Sequence, residues 1–294
     1  MKYNLITILG PTAVGKTRLA ALLADKFDGE IISADSRQVY KGMDIGTGKD
    51  LADYIVNGKA IPYHLIDVIE PGEEFNIFLF QQNFYNSFGE IVSRGKIPFL
   101  VGGTGMYLHS ILGGYDLPKV EFDKSRYDEL NKLDVEKLKE RLMLLNPKLH
   151  NTTDLLVKDR IIRAIMIVEG NSVVGEINRA EIKPLVLGVR LEREKIKERI
   201  TARLKQRLQN GMIDEVKNLL KGVTFERLEL FGLEYKFIAR YLKGELNYND
   251  MYQKLNSAIH SFAKRQMTWF KRDKKIHWIN NFKEADKLTK NFVN

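Results

Sequence analysis

The 294-residue chain contains no cysteine. Disulfide staples, thiolate zinc sites and a cysteine nucleophile are therefore excluded. No apolar run approaches the ~20 residues that a membrane-spanning helix needs. The opening "MKYNLITILG" is too short for a secretory signal and lacks its cleavage region, so the cytoplasm is the expected compartment and no membrane partner is expected. Internal repeats, low-complexity tracts and flexible linkers are missing too. The five histidines, His64, His109, His150, His260 and His277, show no metal-ligand spacing and read as structural.

What remains has an ordinary globular composition, 44% hydrophobic and 29% charged, with length for one to two domains. Charge is unbalanced. A formal net charge of +9 favours a polyanionic partner through release of counterions from phosphates.

The stretch "ILGPTAVGKT" carries a G-x-x-x-x-G-K-T loop at Gly10, Pro11, Thr12, Ala13, Val14, Gly15, Lys16 and Thr17. The apolar, β-branched "YNLITIL" (3–9) feeds into it. A helix is expected from Lys16, because Leu19, Leu22, Leu23 and Phe27 share one helical face. Strand, loop and helix together make a phosphate site of the motif. Backbone N–H groups and the helix N-terminus would meet the phosphate oxygens. Lys16 would place a point charge on the terminal phosphate and the Thr17 hydroxyl would ligate Mg²⁺, with Asp35 as a second candidate ligand. The loop does not choose between a nucleoside triphosphate and another diphosphate.

Further short apolar runs, "EIISAD" (30–35) and "KIPFLVGGT" (96–104), alternate with a helical stretch at "FNIFLFQQNFYNSFGEIVSRG". Such alternation implies an α/β fold with a doubly wound parallel sheet. Ligands on these sheets sit at the carboxyl ends of strands, where Thr12, Asp35 and Thr104 would converge. From about residue 118 the chain turns charged and helical, and "KPLVLGVRL" (183–191) returns to a buried strand. The reading is a P-loop core over 1–117 and 184–294, with an all-helical insertion over 118–183. In the insertion, Thr152 or Thr153 would cap the second helix and Gly170 would stop it. Beyond Glu192 the chain reads as mostly helical, with turns near Gly211, Gly222, Gly232 and Gly244.

Several residues carry two readings. Asp35 suits either a helix N-cap or a magnesium-binding or catalytic carboxylate. Ser36, Arg37 and Gln38 beside it are groups able to read base edges. The glycines before Thr104 either form a tight turn or let backbone approach a ligand closely. Arg160 and Arg163 share a helix face at i, i+3. The segment 190–207 holds eight basic and three acidic residues, with Arg199, Arg203 and Arg207 recurring every four as a cationic ridge. Such a ridge is either a solvated helix face or an anion-binding surface. In "AKRQMTWFKRDKK" (263–275) and just before it, Phe262, Trp269 and Phe270 mix with cations. They form either the apolar side of a helix or a stacking surface for unpaired bases.

With these residues in view the chain resembles the tRNA dimethylallyltransferases, the bacterial tRNA isopentenyltransferases, over nearly its whole length. The resemblance rests on "GPTAVGKT", "ISADSRQVYKGMDIGTGK", "YHLIDVIEP", "FLVGGTGMYL", "RIIRAI", "RITARLKQRLQNGMIDEV" and "AKRQMTWFKRD", in the family's order. It implies transfer of a dimethylallyl group from dimethylallyl diphosphate to the exocyclic N6 of the adenine just 3′ of the anticodon, with Mg²⁺. It further implies that loop 10–17 holds the prenyl diphosphate and that Lys16, Thr17 through Mg²⁺, and Arg203 ease pyrophosphate departure. Asp35 matches the family's general base and Thr104 a threonine near the reacting centre. An aspartate is a weak base, so removal of the N6 proton lags C–N bond formation. The adenine must leave its stack to react.

By the same resemblance tRNA is held by Asp35, Ser36, Arg37 and Gln38, by Asp159, Arg160, Ile161, Ile162 and Arg163, and by His260, Ser261, Phe262, Ala263, Lys264 and Arg265. The insertion would contact the anticodon arm, and the enzyme would be a monomer. Three departures stand out: His260 replaces a family arginine, Gly232-Leu233-Glu234-Tyr235 replaces a G-Y-K/R-E turn, and Arg163-Ala164-Ile165-Met166-Ile167 replaces R-A-L-E-V. They bear on tRNA affinity rather than on the reaction centre. The rival readings are an adenylate isopentenyltransferase acting on free AMP or ATP, a P-loop kinase, and an RNA-binding protein with a vestigial loop.

Overall fold

The computed structural model describes residues 4–114, 123–147, 158–170 and 180–293. Along the chain, β1 (Leu5–Leu9) leads through the glycine loop into α1 (Lys16–Lys26), followed by β2 (Gly29–Ala34). Three two-residue strands come next: β3 (Ile55–Val56), β4 (Lys59–Ala60) and β5 (Tyr63–His64). Then α2 (Ile77–Ser93), β6 (Ile97–Gly102) and α3 (Gly105–Leu112) complete the first half of the core. The helices α4 (Lys124–Asn131), α5 (Val135–Leu145) and α6 (Lys158–Glu169) form a separate group. The chain re-enters the sheet as β7 (Pro184–Val189) and continues through α7 (Arg193–Gln209), α8 (Met212–Leu219), α9 (Phe225–Leu230), α10 (Leu233–Leu242) and α11 (Tyr248–Phe270). It closes with β8 (His277–Ile279) and α12 (Phe282–Val293).

The main sheet is parallel throughout, in the order β5-β2-β6-β1-β7-β8. Its central strands are buried on both faces and so read as unbroken apolar runs rather than alternating ones. One face packs Ile6, Ile8, Ile31, Phe99 and Leu187 against the small face of α1, where Ala20, Ala21 and Ala24 let the helix approach closely. The other face carries α2, packed on β2 and β6. Asn76 starts α2 by accepting the Leu79 N–H at 2.9 Å.

Register places the site. Gly102 pairs with both Leu9 and Ala34, so β1, β2 and β6 end level. The next residue of each, Gly10, Asp35 and Gly103, therefore emerges on one rim. Chain order reverses around β1, which makes this rim the switch point where ligands bind such sheets.

The strand β8 departs from the helical reading of the C-terminal region. Three residues between polar turns are too short for a periodic pattern, and pairing with β7 makes them a strand. The C-terminal helices form a second core around Met212, Leu228, Tyr235, Met251 and Leu255, and it takes in Val39 and Met43 from the loop after β2.

The chain divides into one compact unit of Met1–Tyr115 with Arg179–Asn294, and a second of Asp116–Asn178. Within the second, Asp134 caps α5 by accepting the Lys137 N–H at 2.8 Å, which breaks the long charged stretch into two helices. Gly170 follows the last turn of α6. Thr152, Thr153 and His150 lie outside the described residues. No described helix is long and apolar enough to cross a membrane.

Candidate active site

The loop between β1 and α1 is bent by positive φ at Gly10, Ala13 and Gly15. Its Pro11 carbonyl accepts a hydrogen bond from Lys16 Nζ at 2.7 Å. Val14 turns its side chain into the core under the sheet, so it serves the loop through its backbone. Thr12, Ala13, Gly15, Lys16 and Thr17 line a cavity of about 410 Å³, of the size that holds a small-molecule substrate.

Asp35 and Thr104 line the same cavity from the ends of β2 and β6. Asp35 Oδ1 accepts the Arg37 N–H at 2.9 Å, a local turn that fixes the carboxylate. Thr104 Oγ1 accepts the Ser36 N–H at 3.2 Å, tying the two strand ends together. Asp35 caps no helix here: its turn leads to Lys41 without one.

From the other side, α7 brings Arg203 and Arg207 into the cavity. The ridge expected at 199, 203 and 207 is not simply a solvated face. Arg199 is exposed, but Arg207 is only 8% exposed and Arg203 donates a hydrogen bond to Thr12 Oγ1. Desolvation and the adjacent Arg207 bring the Arg203 guanidinium down to about 10. Desolvation and Arg203 likewise bring Lys16 down to about 8, against the opposing pull of Asp35. Cations held this close together, partly stripped of water, favour an anion among them.

Gln266 on α11 joins two walls. Its Oε1 accepts the Thr12 N–H at 2.9 Å and its Nε2 donates to the Gly103 carbonyl at 2.8 Å. A Cβ on Gly103 would lie 2.7 Å from Gln266 Nε2. This glycine thus permits a close approach of the protein's own amide while its backbone lines the cavity.

At the rim, the Phe262 ring carries two guanidinium groups, Arg37 at 5.6 Å and Arg265 at 5.9 Å. Gln38 accepts from Ser33 Oγ at 3.2 Å and donates to the Gly48 carbonyl at 3.1 Å, so its amide is engaged by the protein. Ser261 and Lys264 are exposed on α11, whereas Ala263 is buried in the helical core. His260 turns toward α7, 3.3 Å from Thr201 Oγ1. Burial and Lys197 lower its pKa, so it does not replace the cation an arginine would supply.

In the second unit, Ile161 and Ile162 are fully buried in that unit's own core. Their side chains therefore fall out of the set expected to touch tRNA; helical spacing puts them opposite Arg160 and Arg163, which are exposed. Asp159 accepts from Tyr127 Oη at 2.8 Å and from Arg163 Nε at 3.1 Å.

Three important residues, Gln266, Glu215 and Lys49, were not picked out from the sequence. Gln266 follows Phe262 by four positions on one helix face, a weak pointer. Trp269, which the sequence offered as helix packing or as a stacking surface, lines the cavity one turn farther on. Glu215 accepts the N–H groups of Asp44, Ile45 and Gly46 at 2.9, 2.6 and 3.0 Å, and the Tyr235 hydroxyl at 2.8 Å. Lys49, buried, donates to the Tyr40 carbonyl at 2.5 Å and to Asp44 at 2.9 Å, and pairs with Asp67. These two charges pin the loop 43–50 that forms one wall.

The profile of the family described as IPP transferase matches residues 38–273. The tRNA dimethylallyltransferase 1 of Geotalea uraniireducens (strain Rf4) is 53% identical over 297 residues, spanning 98% of this chain and 97% of that protein. The crystal structure of a tRNA isopentenylpyrophosphate transferase from Bacillus halodurans superposes with a TM-score of 0.72 at 32% identity, covering 99% of this chain and 95% of the other. A eukaryotic dimethylallyltransferase acting on tRNA gives a TM-score of 0.71 at 25% identity, covering 98% of this chain and 77% of that one. The parallel sheet, the glycine loop and the cavity between them accord with these matches, and the chain belongs to the IPP transferase family.

Proposed function

We propose that this chain transfers a dimethylallyl group from dimethylallyl diphosphate to N6 of the adenine 3′-adjacent to the anticodon in tRNA, releasing pyrophosphate. One observation carries the chemistry: Lys16, Arg203 and Asp35 line a single cavity, which combines anion-holding groups with a carboxylate base.

The reaction needs both. An adenine amino group is a poor nucleophile, because its lone pair is delocalised into the ring. Attack at the allylic carbon therefore depends on departure of the diphosphate. Loop N–H groups and Lys16 hold that leaving group, and Arg203 adds charge as the C–O bond breaks. The new C–N bond leaves a proton on N6, which Asp35 accepts. Thr104 holds the strand end beside it.

The site also suits Mg²⁺, which when bound neutralises charge on the leaving diphosphate. Thr17 and Asp35 line the cavity, and the described residues offer no cluster of three carboxylates or histidines that would cage an ion alone. That fits an ion held mostly by phosphate oxygens and water with one or two protein ligands.

The adenine reaches Asp35 by flipping out of the anticodon loop. Arg37, Phe262 and Arg265 at the rim hold the neighbouring nucleotides by charge and stacking. Exposed Arg160 and Arg163 of the helical insertion contact the anticodon arm. On this reading the protein is a cytoplasmic monomer.

The test is mass spectrometry of tRNA nucleosides after incubation with dimethylallyl diphosphate and Mg²⁺, with free AMP as the competing acceptor. Prenylated adenosine next to the anticodon is expected. Efficient modification of AMP with inert tRNA would overturn the reading, as would ATP turnover dependent on Lys16.

A further inference from the structure

Arg207 lies one turn beyond Arg203 on α7, a step of ~6 Å along the axis. It is 8% exposed and lines the cavity. Its nearest carboxylate, Asp50, is 3.9 Å away, too far for a hydrogen bond. Among the described residues the guanidinium has no hydrogen-bond acceptor. The guanidinium is little exposed and opens only toward the cavity, so the donors of its rigid fork remain available to a ligand there.

The surrounding backbone is shaped to this side chain. Gly48 has φ +71°, and a Cβ there would collide with the Arg207 guanidinium. The Gly48 carbonyl is held by Gln38 Nε2 at 3.1 Å, and the loop leading to it is pinned by Glu215. The guanidinium is thus confined between a fixed loop and the cavity.

We infer that Arg207 is a second phosphate-binding arm of the cavity, separate from the loop, Lys16 and Arg203, and that it binds a phosphate oxygen of a substrate. This rests on the function proposed above. A planar fork suits two phosphate oxygens, and an arginine is less costly to desolvate than a lysine. The phosphate belongs either to the prenyl diphosphate or to an RNA phosphodiester next to the flipped adenine.

The full-length chain and its Arg207→Met, Arg207→Lys and Asp50→Asn variants separate these sources. Inorganic pyrophosphate binding is read by calorimetry, tRNA binding by filter retention across a salt series, and the KM for each substrate by steady-state kinetics. Arg207→Met is expected to weaken one of these affinities about tenfold, with Arg207→Lys intermediate. Loss of pyrophosphate affinity with a raised donor KM assigns the phosphate to the donor. A raised tRNA KM with a shallower salt slope and unchanged pyrophosphate binding assigns it to the RNA. Asp50→Asn keeps both affinities at or above wild type.

The inference is overturned if Arg207→Met leaves every affinity within twofold. It is equally overturned if Asp50→Asn reproduces the loss, since Arg207 would then be a structural partner of Asp50. Should the methionine variant fail to fold, Arg207→Lys decides alone, and wild-type affinity there rejects the proposal. If the wild type prenylates no tRNA the functional reading fails, while the binding titrations still report on Arg207.

Discussion

The guanidinium of Arg203 donates a hydrogen bond to the hydroxyl of Thr12, joining residues 191 positions apart. This contact couples the C-terminal helices to the phosphate loop and holds a cation where the leaving group must sit. Replacing Arg203 with alanine is expected to lower kcat by ~10²–10³, the range for loss of one preorganised donor. Stability should fall only by the worth of the lost hydrogen bond to Thr12, ~0.5–1.5 kcal/mol. Single-turnover pyrophosphate release measures the effect; a kcat within threefold of wild type would remove Arg203 from the chemistry.

Lys16 sets a pH limit. Desolvation and Arg203 hold it near pH 8 in the free enzyme, and only its charged form attracts a diphosphate. The kcat/KM for the donor is therefore full below about 8 and falls as pH rises through that value. Bound diphosphate favours the charged form, so kcat itself holds to higher pH. Lys16→Ala should lose the limb as well as activity. A limb that persists in that variant at the same pH belongs to another group.

Asp35→Asn tests the base. The asparagine oxygen can still accept the Arg37 N–H, now at 2.9 Å, so the turn survives while the proton acceptor is lost. Prenylation should fall by ~10²–10⁴. Binding of tRNA, measured separately, should stay within a few fold. A variant that loses tRNA binding in proportion to rate would make Asp35 a contact residue instead.

Gln266→Leu would strand the Thr12 N–H and the Gly103 carbonyl, both now paired at 2.9 and 2.8 Å. The buried Gly103 carbonyl left without a partner costs ~1–3 kcal/mol, and the part-buried Thr12 N–H costs less. Urea denaturation should register that loss, and donor KM should rise because a loop amide is no longer fixed. Unchanged stability together with unchanged KM would mean that the bridge is dispensable.

Glu215→Gln places an N–H₂ among three backbone donors that now share one carboxylate. Hydrogen exchange of the Asp44, Ile45 and Gly46 amides should accelerate about tenfold or more, on the order of 1.4 kcal/mol. Protection equal to wild type would show that Lys49 alone holds the loop.

Much of the site was written locally in the chain. A strand, a glycine loop and a helix follow one another within 26 residues, so their geometry depends on near neighbours and appears as motif and periodicity. The ends of β2 and β6 were legible for the same reason, as apolar runs stopping at Asp35 and at Gly102. The stretch that holds α4, α5 and α6 was legible as helical from its loss of strand character.

The rest depends on which distant segments meet. Sequence spacing offers Arg203 and Arg207 as a ridge on a helix, but only packing of α7 beside the phosphate loop decides that they face an interior cavity. Glu215 and Gln266 look like ordinary polar residues of amphipathic helices. Their partners are backbone groups some 170 and 160–250 residues away, and backbone N–H and C=O groups leave no trace in side-chain pattern. Ile161 and Ile162 show the converse: a motif marks the stretch, and the 3.6-residue turn sends these two to the core while Arg160 and Arg163 stay outside. The amino-acid order thus determined the strands, the loop and the chemistry available, while tertiary packing alone chose which charges share a cavity, because burial and pairing are properties of neighbours in space.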